Sequence, residues 1–542
     1  MHMASSKQQE LKFGLPFLWR DSATLANLVA SNSYRKKRNA ILEKYPDEVA
    51  NLLDLDFDES YLLASNRCIS KRSSILEAGN YALDRLERAD ALLHESKVDI
   101  AFRQSKVRAE SKVLAMTCKE IAATSHCTEY AHNKFCSIAE TRGVAVPSPS
   151  GPTMTLDGCI RRFISESWWE RALRKAYIRK AEAALREAGF VSKQTGIYAS
   201  NDAVNRRIES KKRTREFLKS MVAINDYGEF FTLDRLADAS VSNPSVRRSE
   251  LMARLAGLES NSRNGGLVGD LYTMTTPSRF HCTLAMGSRN PKYVRNNPKA
   301  GQRWLLKNWS RIRAKLNRDG ISICGIRVAE PHHDGTPHWH LLLFCAPEDR
   351  DRVRDIVRFH MLQDSGDEPG AADRRVLIKP VDYSRGTGAG YLAKYVSKNI
   401  DGHGIESDFE TGPNVKASDA AKRVETWASL WGIRQFQFFG APPVGVWREL
   451  RRLRTKTLEC LEPVRALVDK GDWAGFSRAL LQTGKSAKTM AVRLWRKWID
   501  RPGEYGDPVG FRTVGVRTET ERIVTRERTW TLLPLEALEY CQ

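Results

Sequence analysis

The stretch from Glu330 to Phe344, EPHHDGTPHWHLLLF, constrains the fold more than any other part of the chain. It follows the strand-like segment GISICGIRVAE, and the turn-type sequence PHHDGTP separates the two apolar runs. Two such runs joined by a short turn predict adjacent strands. Side chains alternate between the two faces of a strand, so His338 and His340 share one face while Trp339 shares the other face with Leu341.

This arrangement predicts a metal site. The turn brings Glu330, the last residue of the first strand, close to His338 and His340 on the second. One carboxylate and two imidazoles form a three-ligand set that leaves positions open for substrate and water. The set suits Mg²⁺ or Mn²⁺ when a phosphate supplies further oxygens, and it also suits Zn²⁺. His332 and His333 lie in the turn, where they are either additional ligands or ordinary loop residues.

A second group of reactive residues lies in GAGYLAKYVSKNIDG, which glycines bound on both sides and which predicts a helix. At about 100° per residue, Tyr391, Lys394, Tyr395 and Lys398 fall within one arc of about 100°. The aliphatic residues fall on another face: Leu392, Val396 and Ile400. Taken alone, the pattern is also typical of an amphipathic helix whose aromatic residues only pack.

The two groups fit one reaction. A tyrosine hydroxyl, with a reference pKa of about 10, is a usable nucleophile only when it is assisted. Attack on a DNA phosphodiester also requires that charge on the phosphate oxygens be neutralised, which a divalent metal does. We therefore predict Tyr391 and Tyr395 as nucleophiles, and Lys394 and Lys398 as catalytic residues that stabilise phenolate or phosphorane charge.

The charge of the chain favours a polyanionic partner. Its 542 residues contain 87 Lys and Arg against 65 Asp and Glu, a net charge of +22. Such an excess is typical of nucleic-acid-binding proteins, although a basic solvated surface has the same composition. We expect the basic runs Arg206–Arg215 and VWRELRRLR to contribute to DNA binding. No apolar run approaches the roughly 20 residues that span a bilayer, and the first residues lack a signal-peptide core.

The order of predicted elements indicates an α+β protein. Residues 1–150 are predicted to be a helical region of unknown role, and residues 151–255 a second, basic helical region, with the turn-rich VPSPSGPT between them. Strands and helices then alternate in residues 256–415, which predicts a domain with a single sheet. Residues 416–542 are predicted to be mostly helical and basic.

The motifs resemble those of the HUH endonucleases, and most closely the phage replication gene A protein family, which initiates rolling-circle replication. TTPSRFHCTL resembles the first motif of that family, EPHHDGTPHWHLLLF the second and YLAKYVSK the third. SVSNPSVRRSELM and WGIRQFQFFGAPPVGVWRELRRLR are also similar to family segments. The resemblance extends over roughly residues 160–455. Histidines that precede the tyrosines match replication initiators, whereas relaxases carry the tyrosine first.

The resemblance implies a five-stranded antiparallel sheet with the histidines on a central strand. It implies that two tyrosines alternate: one cuts a single-stranded origin and leaves a 3′-OH with a 5′-phosphotyrosine, and the other cuts the regenerated site so that the displaced strand is closed. The expected location is the cytoplasm of a bacterial host, in association with the nucleoid, and the expected partners are origin DNA and a host helicase.

Other functions fit the motifs less well. A histidine-triad nucleotide hydrolase needs a third histidine where Leu342 stands. A two-histidine phosphoesterase needs a pair of H-x-T motifs, and HCTL at 281–284 supplies only one. A non-enzymatic DNA-binding protein would explain the charge but not both reactive groups. QTGKS at 482–486 lacks the phosphate-loop glycine, because residue 479 is Ala479, so no ATP site is expected.

Overall fold

The computed structural model describes residues 32–43, 83–84, 86–88, 91, 104–193, 195–284, 288–405, 416–453, 458–483 and 489–538. Met1–Asp90 and Ala91–Gln542 form two separate compact units. In the first unit, helix α1 spans Asn32–Leu42. Of the QTGKS segment, residues 484–486 lie outside the described residues. The four-part division predicted from the sequence stays a prediction.

The second unit combines helices with three sheets. Its helices are α2 (Gln104–Thr124), α3 (Thr128–Thr141), α4 (Leu156–Phe163), α5 (Glu166–Glu187), α6 (Asn201–Lys219), α7 (Leu233–Asp238), α8 (Pro244–Asn264), α9 (Pro298–Arg318), α10 (Arg350–Leu362), α11 (Ala371–Arg374), α12 (Gly388–Ile400), α13 (Ala417–Trp431), α14 (Val444–Leu450), α15 (Glu462–Asp469) and α16 (Trp473–Thr483). Its strands are β1 (Met221–Asn225), β2 (Phe230–Thr232), β3 (Val268–Met274), β4 (Cys324–Pro331), β5 (Pro337–Cys345), β6 (Val376–Pro380), β7 (Phe436–Phe439), β8 (Arg493–Pro502), β9 (Pro508–Arg517), β10 (Arg522–Val524) and β11 (Trp530–Pro534).

The largest sheet has five strands in the order β6-β3-β5-β4-β7, and every neighbouring pair is antiparallel. The histidine strand β5 is central. In its register with β4, Glu330 lies opposite His338 and Val328 lies opposite His340. Thr273 of β3 flanks His340 on the other side. The predicted α+β class and five-stranded antiparallel sheet are confirmed.

The alternation of side chains on β5 gives the sheet two different packed faces. The face with the histidines packs against α8 and α12 through buried apolar side chains: Leu251, Leu255, Ile326, Val328, Leu342, Phe344, Leu392, Val396 and Ile400. The opposite face packs against α9 and α10: Tyr272, Trp339, Leu341, Leu343, Leu305, Ile312, Val353 and Val357. The aliphatic face predicted for α12 is therefore its packing face.

The N-terminus of α12 is held by side chains from outside the helix. Thr387 caps it by accepting a hydrogen bond from the backbone N–H of Gly390. The buried carboxylate of Glu259, on α8, accepts hydrogen bonds from the N–H groups of Gly388 and Ala389, both at 2.7 Å. A carboxylate at a helix N-terminus satisfies orphan donors and interacts favourably with the helix dipole. Glu259 therefore anchors α12 against the sheet.

The other two sheets were not predicted. One has the order β11-β1-β2 and the other β10-β9-β8. Within residues 151–255, predicted to be helical, MVAIN instead forms β1, which pairs with the nearby β2 and with β11 about three hundred residues later. In residues 416–542, predicted to be mostly helical, the described part contains α13 to α16 but also β7, the edge strand of the five-stranded sheet, and four further strands, β8 to β11, after Thr483. The composition of LYTMTTPSRFHCTLAM predicts a strand, but β3 ends at Met274. A 3-10 helix follows at Ser278–Phe280, and Thr283 then makes an isolated bridge with Arg289.

No helix in the described part of the chain is both long enough and apolar enough to cross a bilayer.

The role of Glu259 can be tested by the change Glu259→Gln, which keeps the shape but removes the charge and replaces one of the two acceptor oxygens with an NH2 donor. We expect the free energy of unfolding to fall by about 1–3 kcal/mol, measured by urea denaturation. Glu250→Gln on the same helix is the matched control. Glu250 pairs with Arg448, whose side chain is 44% exposed, so its loss should cost less than about 1 kcal/mol. Equal effects of the two changes would contradict the anchoring role.

Candidate active site

Three buried side chains converge at one end of β4 and β5. Glu330 is 1% exposed, His338 3% and His340 7%. The Nε2 atoms of the two imidazoles are 3.0 Å apart, and Oε2 of Glu330 lies 3.9 Å from Nε2 of His338 and 3.6 Å from Nε2 of His340. In the described part of the chain, this is the one group of His, Cys, Asp and Glu side chains whose geometry could hold a metal ion.

Neighbouring polar groups orient this cluster. The amide Nδ2 of Asn399 donates to Oε1 of Glu330, which leaves Oε2 directed toward the histidines. Gln435 Nε2 in turn donates to Oδ1 of Asn399 at 3.1 Å. Nδ1 of His340 lies 3.1 Å from Oγ1 of Thr273. When Nδ1 donates this hydrogen bond, the lone pair is on Nε2, the nitrogen that faces the cluster.

Burial keeps the two imidazoles neutral. Desolvation, together with the positive charges of Lys398 and Lys394, lowers the pKa of His340 to about 3. Desolvation, followed by the nearby histidines and Lys398, holds the pKa of His338 well below its ordinary value. A neutral imidazole offers a lone pair and an ionised carboxylate offers oxygen, so the donor set fits a divalent cation.

The two predicted nucleophiles lie directly over this cluster. The ring of Tyr395 stacks on the ring of His340, with centroids 4.0 Å apart and an interplanar angle of 24°. The hydroxyls of Tyr391 and Tyr395 are 3.1 Å apart, as the one-turn spacing predicts for a shared helix face. Tyr395 is 9% exposed and Tyr391 is 37% exposed, so the two hydroxyls span the boundary between the buried cluster and solvent.

Both predicted lysines lie beside these groups, in different positions. Nζ of Lys394 is 4.9 Å from the ring centroid of Tyr395 and 5.6 Å from that of Tyr391. Lys398 is buried, with Nζ 3.9 Å from Oε2 of Glu330 and 5.2 Å from the ring centroid of Tyr198. Lys394 therefore faces the phenol groups, whereas Lys398 faces the carboxylate end of the cluster.

The turn histidines separate into two environments. The ring of His332 lies against that of His338 with centroids 4.0 Å apart, and the ring of His281 lies 5.0 Å from His332. His332 is therefore in the wall of the cluster but outside the three-donor set. His333 is not in that set either; its carbonyl accepts a hydrogen bond from the N–H of Tyr198.

A buried ionic network below the turn holds this wall. Arg186 of α5 donates to the carbonyl oxygens of Asp334 and Phe280 and to Oγ1 of Thr336. The Asp334 carboxylate accepts from the N–H groups of Cys282 and Thr336, both at 3.0 Å. Because each of these groups is buried and paired, the turn PHHDGTP has one well-defined conformation.

Several of these residues were missed from the sequence. Asn399 lies four residues after Tyr395, so the stripe that predicted the tyrosine face could have been extended to include it. Thr273 lies on the strand next to His340, and only the strand order reveals that contact. Gln435 lies in the family-like segment WGIRQFQFFGAPPVGVWRELRRLR, but no local pattern marks it as a site residue, and Tyr198 comes from a segment without a motif. The seven predicted site residues do lie together, but their catalytic and metal-binding roles stay predictions.

Comparison with known proteins agrees with the motifs. The sequence profile of the bacteriophage replication gene A protein (GPA) matches residues 96–403, more than half of the chain. The class indicated by this match is that of phage replication proteins. The chain belongs to the bacteriophage replication gene A protein family.

Individual proteins of known name are also similar to this chain. The chain is similar to the replication gene A protein of Escherichia phage 186, at 39% identity over 70% of this chain and 56% of the relative. It is 36% identical to the replication gene A protein of Escherichia phage P2, over 69% of this chain and 52% of the relative. A probable replication endonuclease from a prophage-like region of Salmonella paratyphi A is 34% identical, over 66% and 46%. The chain therefore spans about half the length of these relatives. No solved structure matches it.

The buried imidazoles make stability depend on pH. Unfolded histidines take up protons below the ordinary pKa of 6.5, whereas folded His340 stays neutral down to about pH 3. The unfolded state therefore binds more protons in this window, and stability falls as the pH falls.

We expect the metal-free protein to lose about 2 kcal/mol per buried imidazole between pH 6.5 and pH 5, measured by urea denaturation in chelator. The variant His340→Gln should show a shallower decline than the parent chain. A decline of the same steepness in both proteins would contradict the assignment to His340.

Proposed function

We propose that this chain is a site-specific single-strand DNA endonuclease and strand transferase that nicks a replication origin and starts rolling-circle replication of a phage genome. The observation that carries the proposal is the stacking of Tyr395 on His340, with the hydroxyl of Tyr391 3.1 Å from that of Tyr395. This arrangement supports a mechanism in which the two tyrosines act as nucleophiles over a donor set suited to a cation. The names of the relatives, replication gene A protein and replication endonuclease, support the same activity.

The proposed reaction is a transesterification. A tyrosine oxygen attacks the scissile phosphorus, the phenolic proton is lost, and the P–O3′ bond breaks. The 3′ oxygen takes up a proton and leaves as a 3′-OH, while the 5′ phosphate stays bound to the tyrosine. Because one phosphodiester replaces another, the reverse reaction can join the strand without an external energy source.

A divalent cation would assist the attack of the tyrosine on the phosphodiester. Glu330, His338 and His340 would hold Mg²⁺ or Mn²⁺, with Zn²⁺ as the alternative that the same donors accept. When bound, the cation would neutralise charge on the phosphate oxygens and orient the scissile bond. Asn399 keeps one carboxylate oxygen of Glu330 directed toward the histidines, so the donor set is oriented before any ligand binds.

The two lysines would act on different charges. Lys394 lies over both phenol rings, where its ammonium group favours the ionised form of a tyrosine as it attacks. Lys398 lies 3.9 Å from Glu330 and offsets the charge of a carboxylate buried at 1% exposure. We propose Lys394 as the residue that assists the nucleophile and Lys398 as the one that supports the donor set.

We further propose that the chain acts in the cytoplasm of the bacterial host, in association with the nucleoid, and that a host helicase separates the strands ahead of it. The motivation for the helicase is that QTGKS lacks the glycine of a phosphate loop, so another protein has to supply the energy of unwinding.

The direct test is incubation with labelled single-stranded DNA from the replicon that encodes the chain, in the presence of Mg²⁺. A denaturing gel should reveal a covalent protein–DNA adduct, and protease treatment should convert it to a DNA–peptide species. The competing function is a DNA-binding protein without chemistry, which would retard the DNA in a native gel and form no adduct.

For the donor set, we predict that His338→Ala combined with His340→Ala abolishes cleavage and leaves most DNA binding intact. The same double variant should lose the increase in melting temperature that Mn²⁺ gives the parent chain, because a ligand that binds only the folded state stabilises it. His403→Ala, which changes an exposed histidine outside the site, is the control and should behave as the parent. Full nicking by the double variant in chelator would exclude this metal site.

For the tyrosines, we predict that Tyr391→Phe and Tyr395→Phe each keep some nicking or joining of short oligonucleotides. Two nucleophiles are needed only to pass a strand on while the first phosphotyrosine bond is intact, so each single variant should fail to release closed circles repeatedly. The double variant should form no adduct. Peptide mapping decides between the models: DNA found on one tyrosine in every variant, with circle production unaffected by loss of the other, would rule out alternation.

A further inference from the structure

The C-terminal sheet formed by β8, β9 and β10 has one face in the protein core and one outside it. Leu494, Val516 and Ile523 lie opposite one another in the register and pack into an apolar cluster with Val446 and Trp447. The residues that alternate with them point the other way, and the register shift between Trp495 and Arg496 brings Arg512, opposite Lys497, onto that same side. We call that side the basic sheet face, and it is formed by Arg493, Trp495, Lys497, Arg512, Arg517 and Arg522.

The register of this sheet places like charges directly beside each other. Arg517 lies opposite Arg493 on one side and opposite Arg522 on the other, and Lys497 lies opposite Arg512. Cross-strand pairs of like charge destabilise a sheet. No acidic side chain within the described residues forms an ion pair with Lys497, Arg512, Arg517 or Arg522. The face therefore concentrates positive charge at a cost to stability.

The basic run of α6, which the sequence suggested as a DNA contact, behaves differently. Arg206 pairs with Asp202, Arg215 pairs with Asp234 and Asp238, and Glu425 accepts from both Arg207 and Lys211. Most of the charge of this helix is thus neutralised within the chain. Four cations of the C-terminal sheet form no ion pair with a described acidic side chain, and they are the better candidates for binding an external polyanion: Lys497, Arg512, Arg517 and Arg522.

An aromatic ring lies among these cations. Trp495 has Nζ of Lys497 4.8 Å from its ring centroid and the guanidinium carbon of Arg522 at 5.8 Å. Cations that follow a phosphate backbone, combined with an aromatic ring on which a base can stack, are the common elements of single-strand binding surfaces. A duplex keeps its bases stacked inside and could use only the cations.

The size of the face also suits a single strand. Three adjacent strands cover about 10 Å across the sheet, and the five residues from Arg493 to Lys497 cover about 13 Å along it. This area matches a few nucleotides of single-stranded DNA, and it is smaller than the surface that even a single duplex-binding module buries.

From these observations we infer that the basic sheet face is a second, sequence-independent binding site for single-stranded DNA. The cations contact phosphates and Trp495 stacks on a base. The face lies beyond residues 96–403, the part of the chain that matches the family profile. Binding at this site does not require cleavage of a phosphodiester, so the site can be tested independently of the proposed nicking activity.

The test uses the full chain with Tyr391→Phe and Tyr395→Phe, so that no covalent adduct interferes, and a fluorescein-labelled oligothymidylate, which carries no origin sequence. Affinity is measured over a series of KCl concentrations. Adding Lys497→Gln and Arg512→Gln should weaken binding and lower the slope of log K against log[salt] by about 1.4, since each single-strand phosphate contact contributes about 0.7. Adding Trp495→Leu instead should weaken binding at least about fivefold with no change in slope.

The matched control carries Arg206→Gln and Arg215→Gln, which remove the same formal charge from α6. Because both arginines are paired with acids, the slope should stay that of the parent. The thermal midpoint separates binding from folding: removing Lys497 and Arg512 relieves repulsion and should leave the midpoint unchanged or raise it. A structural role for these cations predicts a lower midpoint instead.

Three results would overturn the inference. The first is a slope and affinity unchanged in both the lysine–arginine and the tryptophan variants. The second is a duplex that competes as well as the single strand. The third is ultraviolet cross-linking of 5-iododeoxyuridine DNA to the parent chain that yields no adduct on the β8 peptide, a readout that needs no variant to fold. Nicking is assayed separately on the chain with intact tyrosines, so a failure of one proposal leaves the other standing.

Discussion

The antiparallel register between β4 and β5 is the constraint on which the candidate site depends. It places Glu330 directly opposite His338, and alternation along β5 then adds His340 to the same face. A shift of one residue would turn both imidazoles into the apolar face that Trp339 occupies. Because Leu341, Leu342, Leu343 and Phe344 are all buried on one face or the other, such a shift would also break both cores.

Burial of this polar cluster carries a cost that the surrounding contacts offset. An ionised carboxylate at 1% exposure is stable only when it is paired and hydrogen-bonded, and Glu330 has Lys398 and Asn399 for these roles. The imidazoles avoid the cost of charge by staying neutral. Neutral imidazoles beside an ionised carboxylate are also the protonation states that a divalent cation requires. The desolvation that costs folding free energy thus keeps the imidazoles in the protonation state in which they could accept a cation.

The distribution of charge separates structural cations from available ones. A net charge of +22 says only that the protein is basic, and the densest basic run lies on α6. There, Asp202, Asp234, Asp238 and Glu425 neutralise the arginines and lysines by contacts within and between helices. On the C-terminal sheet, neighbouring strands instead bring arginines together. Lys497 lies opposite Arg512 and Arg517 lies opposite Arg522, and these four cations form no ion pair with an acidic side chain among the described residues. Cations held together in this way are the stronger indication of a polyanionic ligand.

The sequence by itself determined the features that follow from local periodicity. Alternation placed His338 and His340 on one face, and one helical turn placed Tyr391 with Tyr395, because both patterns depend only on residues two to four positions apart. Tertiary structure decided what depends on distant partners. It pairs β1 with β11 and orients Glu330 through Asn399. It also determines which arginines form ion pairs with acidic side chains. A single sequence carries no local signal for these contacts, since the strand order and the register that create them arise only when the chain packs around its core.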